Sequence, residues 1–543
     1  LQSYWIFNGL TFKTTPDIIV QIASREDVEY VIDDIKFRIP VEKVSLGEDP
    51  RPPAWNLIRV RAPDCWNLGY NGTGVIVGNI DTGVNISHPA LAGKWISGGW
   101  YDAVNGRPEP YDDNFPYLHG TATIGVICGG DGNGPFVDDI GVAPGARFIC
   151  AKGFNWEGIG YATWLHSCFQ WFASQNVDVL NNSWGGKEAL PEFWNDCLNL
   201  YNLGIYVVGA IGNEGPSPYS TCEPGDYPCV TGVGATNAED VIANFSSRGP
   251  VPNNPPWNNT QYWQRPDWNR IKPDIVAPGV NVRSTSGATG YRHWTGTSFS
   301  APHIAGAVAL CLQKYPTFTP KVVYNLLLNT ADKNVPGVSY PNNSYGWGRL
   351  NCYEALTHIP FQPDNQVKNW WVTSYRGDNI HNTTGDGQYQ LQFTDPNQWA
   401  VYHIKIENDG AIFDSIKVRS LTEGTGNWTV VYYDTLSGGN NITSQITSQH
   451  GWCPGIINPG DARHIRIEVR PGNNMTGLIR RVRIISCSQH RLLGEKVDMV
   501  YMDTQCNRLQ PDNQIKNSNE NVYIGNNIYN TIGQNQSKNN DTW

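Results

Sequence analysis

The stretch Gly296-Thr297-Ser298-Phe299-Ser300-Ala301-Pro302-His303 runs without a break into the apolar segment Ile304-Ala305-Gly306-Ala307-Val308-Ala309-Leu310-Cys311-Leu312. A glycine, small hydroxylated residues and then an uncharged aliphatic run predict a tight turn feeding a buried helix. Ser298 then stands at the helix N-terminus, where unpaired backbone N–H groups and the positive end of the helix dipole favour a developing negative charge. Taken alone, Gly-Thr-Ser is more readily an N-cap on a core helix than a place for a nucleophile. Two other stretches decide between those readings.

The first, Gly74-Val75-Ile76-Val77-Gly78-Asn79-Ile80-Asp81-Thr82-Gly83, is a short apolar run of buried-strand type that ends in a carboxylate and a glycine. An acid at the carboxyl end of a parallel strand lies where open α/β sheets put their active sites. The second, His119-Gly120-Thr121-Ala122-Thr123-Ile124-Gly125-Val126-Ile127-Cys128-Gly129-Gly130, reads as a helix that opens on histidine and stops at a glycine pair. Acid, base and nucleophile follow one another as Asp81, His119 and Ser298.

At these residues the chain resembles the subtilisin family, in which the triad has this chain order. Further similarities follow in family order: Gly-Val-Ala-Pro-Gly-Ala at 141–146, Asn-Ser-Trp-Gly-Gly at 182–186, Gly-Ala-Ile-Gly-Asn-Glu-Gly at 209–215, Ser-Ser-Arg-Gly-Pro at 246–250, Lys-Pro-Asp-Ile-Val-Ala-Pro-Gly at 272–279 and the closing Tyr-Gly-Trp-Gly-Arg-Leu-Asn at 345–351. The chain departs from the family pattern at Ala122 and Ile124, in place of a second histidine and an alanine, and at Phe299, where methionine is usual. None of these supplies an atom the chemistry needs.

The resemblance implies a serine endopeptidase of broad specificity working through an acyl-enzyme. In it Asp81 orients His119, His119 takes the proton of Ser298, and the Asn213 amide with the Ser298 N–H stabilises the oxyanion. It also implies that Ser183, Trp184 and Gly185 on one side, and Gly209, Ala210, Ile211 and Gly212 on the other, flank an extended polypeptide substrate. His88 and His303 match structural family positions. No cofactor is needed for this chemistry. A structural calcium is possible on the oxygen-rich loop that carries Asp131, Asn133, Asp138 and Asp139.

Composition sets the outer bounds. The chain has 543 residues, enough for two to four domains, with 16% charged residues and a formal net charge of −10. That balance leaves no basic footprint for nucleic acid, and no apolar run approaches the roughly 20 residues of a membrane span. Twelve cysteines do not make a disulfide scaffold, and no Cys-x-x-Cys occurs. Cys222 and Cys229 bracket a turn-like Glu-Pro-Gly-Asp-Tyr-Pro and are the pair expected to bridge. Asn-x-Ser/Thr sequons at Asn71, Asn258, Asn342, Asn382, Asn427 and Asn474 are compatible with an extracellular or cell-surface glycoprotein.

Five regions follow. Residues 1–47 alternate strand (3–7 and 10–12), helix (from Thr15-Pro16 to Ala23) and strand (28–32), and resemble the back half of a subtilase propeptide, which in that family aids folding and then blocks the cleft as an inhibitor. Leu1 is therefore expected not to be the natural start. Residues 48–358 alternate short apolar strands with helices, the pattern of a parallel α/β sheet covered on both faces. Residues 359–393 read as a linker. Residues 394–506 carry period-two strands with no helix between them and predict an antiparallel β-sandwich of Ig-like type, a spacer rather than a binding module. Residues 507–543 form a polar tail in which Gln510-Pro511-Asp512-Asn513-Gln514-Ile515-Lys516-Asn517 repeats Gln362-Pro363-Asp364-Asn365-Gln366-Val367-Lys368-Asn369, as if a second module began there and a longer parent chain continued it. The competing function, a surface scaffold with an incidental protease domain, has no use for Asp81, His119, Ser298 and Asn213 together.

Overall fold

Asn79 and Ile80 are neighbours in sequence and face opposite layers of the molecule. Ile80 joins a core cluster with Leu165, Phe169, Phe172, Leu180, Cys197, Leu200 and Val207, whereas Asn79 Nδ2 donates to Thr123 Oγ1 at 3.1 Å on the other side. This period-two alternation, with apolar or satisfied polar groups on both faces, is what a sheet buried on both sides requires. In the computed structural model, which describes residues 1–39, 43–45, 54–130, 139–186, 191–265, 269–358, 361–489, 497–507, 515–516 and 523–524, that sheet has seven strands. Their order is Ile275–Pro278, Thr231–Thr236, Tyr206–Ala210, Val179–Asn182, Ile76–Asp81, Arg147–Lys152 and Trp95–Asp102, and every pairing is parallel.

Two helix pairs cover it. His119–Cys128 packs on Ala301–Lys314, and Ala162–Phe172 packs on Trp194–Asn202. The His119–Cys128 helix stops at Gly129, where an added Cβ would lie 2.5 Å from Ile140. Ala301–Lys314 is buried through its first eleven residues and starts after a 3₁₀ turn, Thr297–Phe299. Ser298 therefore sits in the tight turn that leads into the helix, one step ahead of the helix itself.

The chain divides into two units, Leu1–His358 and Ile359–Trp543. The N-terminal segment clusters with the first. Its strands Gln2–Tyr4 and Gly9–Thr11 form an antiparallel pair, and Pro16–Ala23 is a helix with Thr15 at the N-cap and Pro16 at its start. No strand forms at 28–32. The strand is Lys36–Arg38 instead, because it finds an open edge, Ile159–Tyr161, to pair with.

Two larger sheets build the second unit. One runs Pro363–Asn369, Ala400–Asn408, Ala462–Pro471, Trp428–Tyr433, all antiparallel. The other runs Tyr389–Thr394, Val497–Cys506, Ile479–Ser488, Asp414–Glu423, Ile456–Ile457, with its first pair parallel. Alternate residues such as Tyr402, Ile404, Ile406, Ile465, Ile467, Val482 and Ile484 fill the core. The linker expected over 359–393 is not a linker, since it contributes Pro363–Asn369 and most of Tyr389–Thr394. Its polar look misleads because the polar groups are buried with partners: the Asn365 N–H donates to Asp498 (2.5 Å), Asn365 Oδ1 accepts from Ser486 Oγ (2.7 Å), and Gln392 Nε2 donates to Asn369 Oδ1 (3.0 Å). Pro363 is tolerated because this strand lies at a sheet edge.

Of the expected calcium loop, Asp131, Asn133 and Asp138 lie outside the described residues, as does the tail beyond Asn507 apart from a two-residue pairing, Ile515–Lys516 with Tyr523–Ile524. No disulfide forms among the described residues, which overturns the Cys222–Cys229 pair. Cys222 lines a cavity on one side of the turn, while Cys229 joins the aromatic core with Cys197 on the other. No helix among the described residues is long and apolar enough to cross a membrane.

Candidate active site

Asp81 is the last residue of the central strand Ile76–Asp81, and His119 is the first of its helix. Small residues let the two meet. A Cβ on Gly120 would lie 2.2 Å from the Gly83 carbonyl oxygen and 3.0 Å from Asp81 Cβ, and Gly83 itself has φ +120° with Tyr111 O 2.0 Å from where its Cβ would be. Gly120 N–H donates to Thr82 Oγ1 at 2.9 Å and pins the helix start to the strand end. His119 Nδ1 then lies 2.7 Å from Asp81 Oδ1, with both side chains 1% exposed. The Thr82 N–H donates to the same oxygen at 2.7 Å, and Thr123 Oγ1 approaches Asp81 Oδ2 at 3.4 Å. A carboxylate facing Nδ1 keeps the proton on that nitrogen, which makes Nε2 the ring's acceptor.

Ser298 is buried in the turn Thr297–Phe299. The ring of Phe299 meets the His119 ring edge-on at 5.7 Å and stacks on Trp294 at 5.1 Å. The phenylalanine that stands where methionine is usual thus packs the floor under the histidine. Ser183 Oγ donates to the Ser298 carbonyl at 2.7 Å and accepts from Asn181 Nδ2 at 2.9 Å, which holds the turn from below. Asn213 Oδ1 accepts from both the Thr297 N–H and Thr297 Oγ1, each at 2.9 Å. With its carbonyl so engaged, the side chain turns its NH₂ away from Thr297, and Asn213 and Ser298 border the same cavity of about 530 Å³.

Trp184, Gly185, Ala210 and Gly212 also border that cavity. Three other residues expected to flank substrate do not reach its wall. Ser183 serves the Ser298 carbonyl, Gly209 lies against Gly225, where a Cβ would come within 2.7 Å of Cα, and Ile211 is buried with its N–H on Val233 O. His303 is not a base: Nδ1 faces the Phe299 carbonyl at 2.7 Å, Nε2 faces Asn56 at 2.9 Å, and burial pulls its pKa down to about 4. His88 is likewise held by Gly290 O at 2.9 Å.

Sequence reasoning missed Glu214, Tyr219 and Arg38 on the cavity wall, and the edge strand Ile159–Tyr161. The small residues of Gly158-Ile159-Gly160, just after a core strand, were the available signal. Against this edge lies the chain's own segment Lys36–Arg38, antiparallel, with Phe37 opposite Gly160, the Ile39 N–H on Gly158 O (2.9 Å) and the Ala162 N–H on Ile35 O (2.9 Å). Phe37 is 1% exposed among aromatic rings, 5.0 Å from Phe193 and 6.2 Å from Trp184. Arg38 reaches the cavity that Ser298 borders.

The model of the subtilase family matches residues 72–348, half of the chain. The chain belongs to the subtilase family. Among its relatives are bacillopeptidase F of Bacillus subtilis (strain 168), 32% identical over 406 residues that are 66% of this chain and 26% of that protein, and subtilisin E of the same strain, 32% identical over 305 residues, 55% of this chain and 70% of that protein. The alkaline protease of Shouchella clausii is 32% identical over 346 residues, 64% and 80% of the two chains. The matched part spans about a quarter of bacillopeptidase F. Residues 72–348 are thus a subtilisin-like serine peptidase domain.

Proposed function

We propose that the chain is an extracellular serine endopeptidase in which Asp81, His119 and Ser298 form the catalytic triad and Asn213 donates to the oxyanion. Ser298 Oγ attacks the peptide carbonyl carbon while its proton passes to His119 Nε2. Asp81, 2.7 Å from Nδ1, stabilises the imidazolium. The oxyanion takes hydrogen bonds from Asn213 Nδ2 and the Ser298 N–H, and collapse transfers the His119 proton to the departing amine. Water, deprotonated by His119, then releases the acyl group. Substrate lies extended against Ile159–Tyr161 on one side and 184–185 on the other, held by backbone hydrogen bonds, so side-chain selectivity is broad. The observation that carries this reading is the Asn213 carboxamide: two Thr297 donors take its oxygen, so its NH₂ is not spent on Thr297, and the residue borders the same cavity as Ser298.

The chain's own residues 36–39 support a second element of the proposal, that the N-terminal segment is a propeptide that inhibits by lying in the cleft as a substrate strand would. A serine-directed fluorophosphonate tests the activity. Covalent label on Ser298 is expected once residues 1–47 are removed, with none in Ser298→Ala. A folded, trimmed parent chain that stays unlabelled refutes the assignment.

A further inference from the structure

Within the second unit, charged side chains converge at one edge of the sandwich. The edge strand Pro363–Asn369 pairs with Ala400–Asn408 in a register that sets Asp364 opposite Glu407. The Asp409 N–H donates to Gln362 O at 2.8 Å, and the excursion between Asn369 and Tyr389 brings Asp378 and His381 back over the strand. Part of this cluster is satisfied internally. Gln366 Nε2 lies within hydrogen-bond distance of Asp364 Oδ2 (2.7 Å), Asp378 Oδ1 (2.8 Å) and Glu407 Oε2 (2.9 Å) and shares its two N–H groups among them, and Lys405 pairs with Glu407.

The other part is not. The Asp364 side chain is fully buried, yet its Oδ1 has no hydrogen-bond partner among the described residues. That oxygen faces His381 Nε2 at 3.8 Å, and the same nitrogen lies 3.1 Å from Asp409 Oδ2. The three atoms all lie within 4.8 Å of one another. A protonated His381 does not explain the geometry, because its single Nε2–H serves Asp409 and leaves Asp364 Oδ1 beyond hydrogen-bond reach. A buried carboxylate oxygen without a donor costs about 1–3 kcal/mol or more, and the lysine of this cluster, Lys405, pairs with Glu407.

We propose that Asp364, His381 and Asp409 bind a zinc ion. An ion about 2.0–2.2 Å from each donor in tetrahedral geometry sets donor–donor separations of about 3.3–3.6 Å; the two separations from His381, 3.1 and 3.8 Å, need shifts of only a few tenths of an ångström, and the third pair, Asp364 Oδ1 and Asp409 Oδ2, lies within 4.8 Å. One imidazole nitrogen with two carboxylate oxygens suits zinc better than calcium, which takes six to eight oxygens. His381 and Asp409 are 26% and 21% exposed, which gives the ion a path in and a fourth position for water. The site uses the octamer that the chain repeats: Asp512 stands where Asp364 does, but Tyr529 replaces the imidazole of His381, so the second copy has the carboxylate without the nitrogen.

The test uses the full chain carrying Ser298→Ala to prevent self-digestion, stripped with chelator, dialysed, and titrated with zinc chloride in a calorimeter. One saturable site is expected in this parent. His381→Ala and Asp409→Asn, both changed at partly exposed positions, are expected to weaken that site at least about tenfold and to abolish the zinc-induced rise in Tm. Cobalt(II) in place of zinc should give visible d–d absorption in the parent that is lost in His381→Ala. Absence of saturable zinc binding, equal binding by parent and variants, or binding of calcium but not zinc overturns the proposal.

Discussion

Phe37→Ala measures how firmly the N-terminal segment holds the cleft. Phe37 is 1% exposed and its ring lies 5.0 Å from Phe193 and 6.2 Å from Trp184. Burying such a side chain contributes about 1.5–3 kcal/mol, and each aromatic pair adds about 0.5–1.5 kcal/mol. About 3 kcal/mol in total is lost with the ring, and at about 1.4 kcal/mol per tenfold the strand should open roughly 100-fold more often. Amide hydrogen exchange reads that ratio directly, because the Ala162 N–H donates to Ile35 O and the Ile39 N–H to Gly158 O only while the segment is paired. In a Ser298→Ala background, both amides should exchange about 100-fold faster in Phe37→Ala, while amides of the central strand Ile76–Asp81 keep their protection. Unchanged exchange at Ala162 and Ile39 would refute the view that the ring anchors the segment.

Three further outcomes are expected. Asn213→Ala should lower kcat by about 10²–10³ with little change in KM, a factor taken from the general cost of losing an oxyanion donor rather than from this geometry; steady-state kinetics on a peptide substrate checks it, and an effect confined to KM removes Asn213 from the role. Lys272 is fully buried, with its ammonium on Gly225 O (3.2 Å), Tyr227 O (2.9 Å), Val230 O (2.6 Å) and Asp274 (2.5 Å); Asp274 keeps Arg265, Tyr324 and the Gly232 N–H when the lysine is lost, so Lys272→Met should cost about 1–3 kcal/mol in urea unfolding, by leaving the carbonyls of the turn behind the cavity without their donor. His166 is buried beneath Tyr4 and Phe7; burial lowers its pKa, but Asp196 and Glu192 outweigh that and raise it to about 9. Its folded pKa thus exceeds the unfolded value of about 6.5, so its contribution is whole below about pH 6.5 and fades as the pH rises through about 9. The urea midpoint should fall over that window, and less steeply in His166→Gln.

The excursions from expectation have a common cause. The stretch 359–393 looks like a linker because it is rich in Asn, Gln and Asp, yet the polar groups of its strands, such as Asp364, Asn365, Gln366 and Gln392, are buried, and hydrogen-bond satisfaction between distant strands leaves no periodic trace in sequence. The expected Cys222–Cys229 bridge rested on the turn between them, but the turn sends one thiol to the cavity and the other into the aromatic core. The strand expected at 28–32 has the right residue types, but pairing goes to Lys36–Arg38, where an open edge is within reach.

What the sequence determined by itself is local and ordered along the chain: a strand ending in Asp81, a helix opening on His119, and a glycine turn carrying Ser298 into a buried helix. Each is written in contiguous residues, as hydrophobic period, as a glycine that admits close approach, or as a proline at a helix start, and so each is legible without neighbours. Only the tertiary structure decided which groups meet. The Asn213 amide is oriented by Thr297, 84 positions away; Phe37 finds its partners at Trp184 and Phe193; and Asp364, His381 and Asp409 come together from a strand, an excursion and the end of another strand. Those contacts depend on which sheet edges stay open and which polar atoms lose water on burial, and both quantities exist only once the chain has folded.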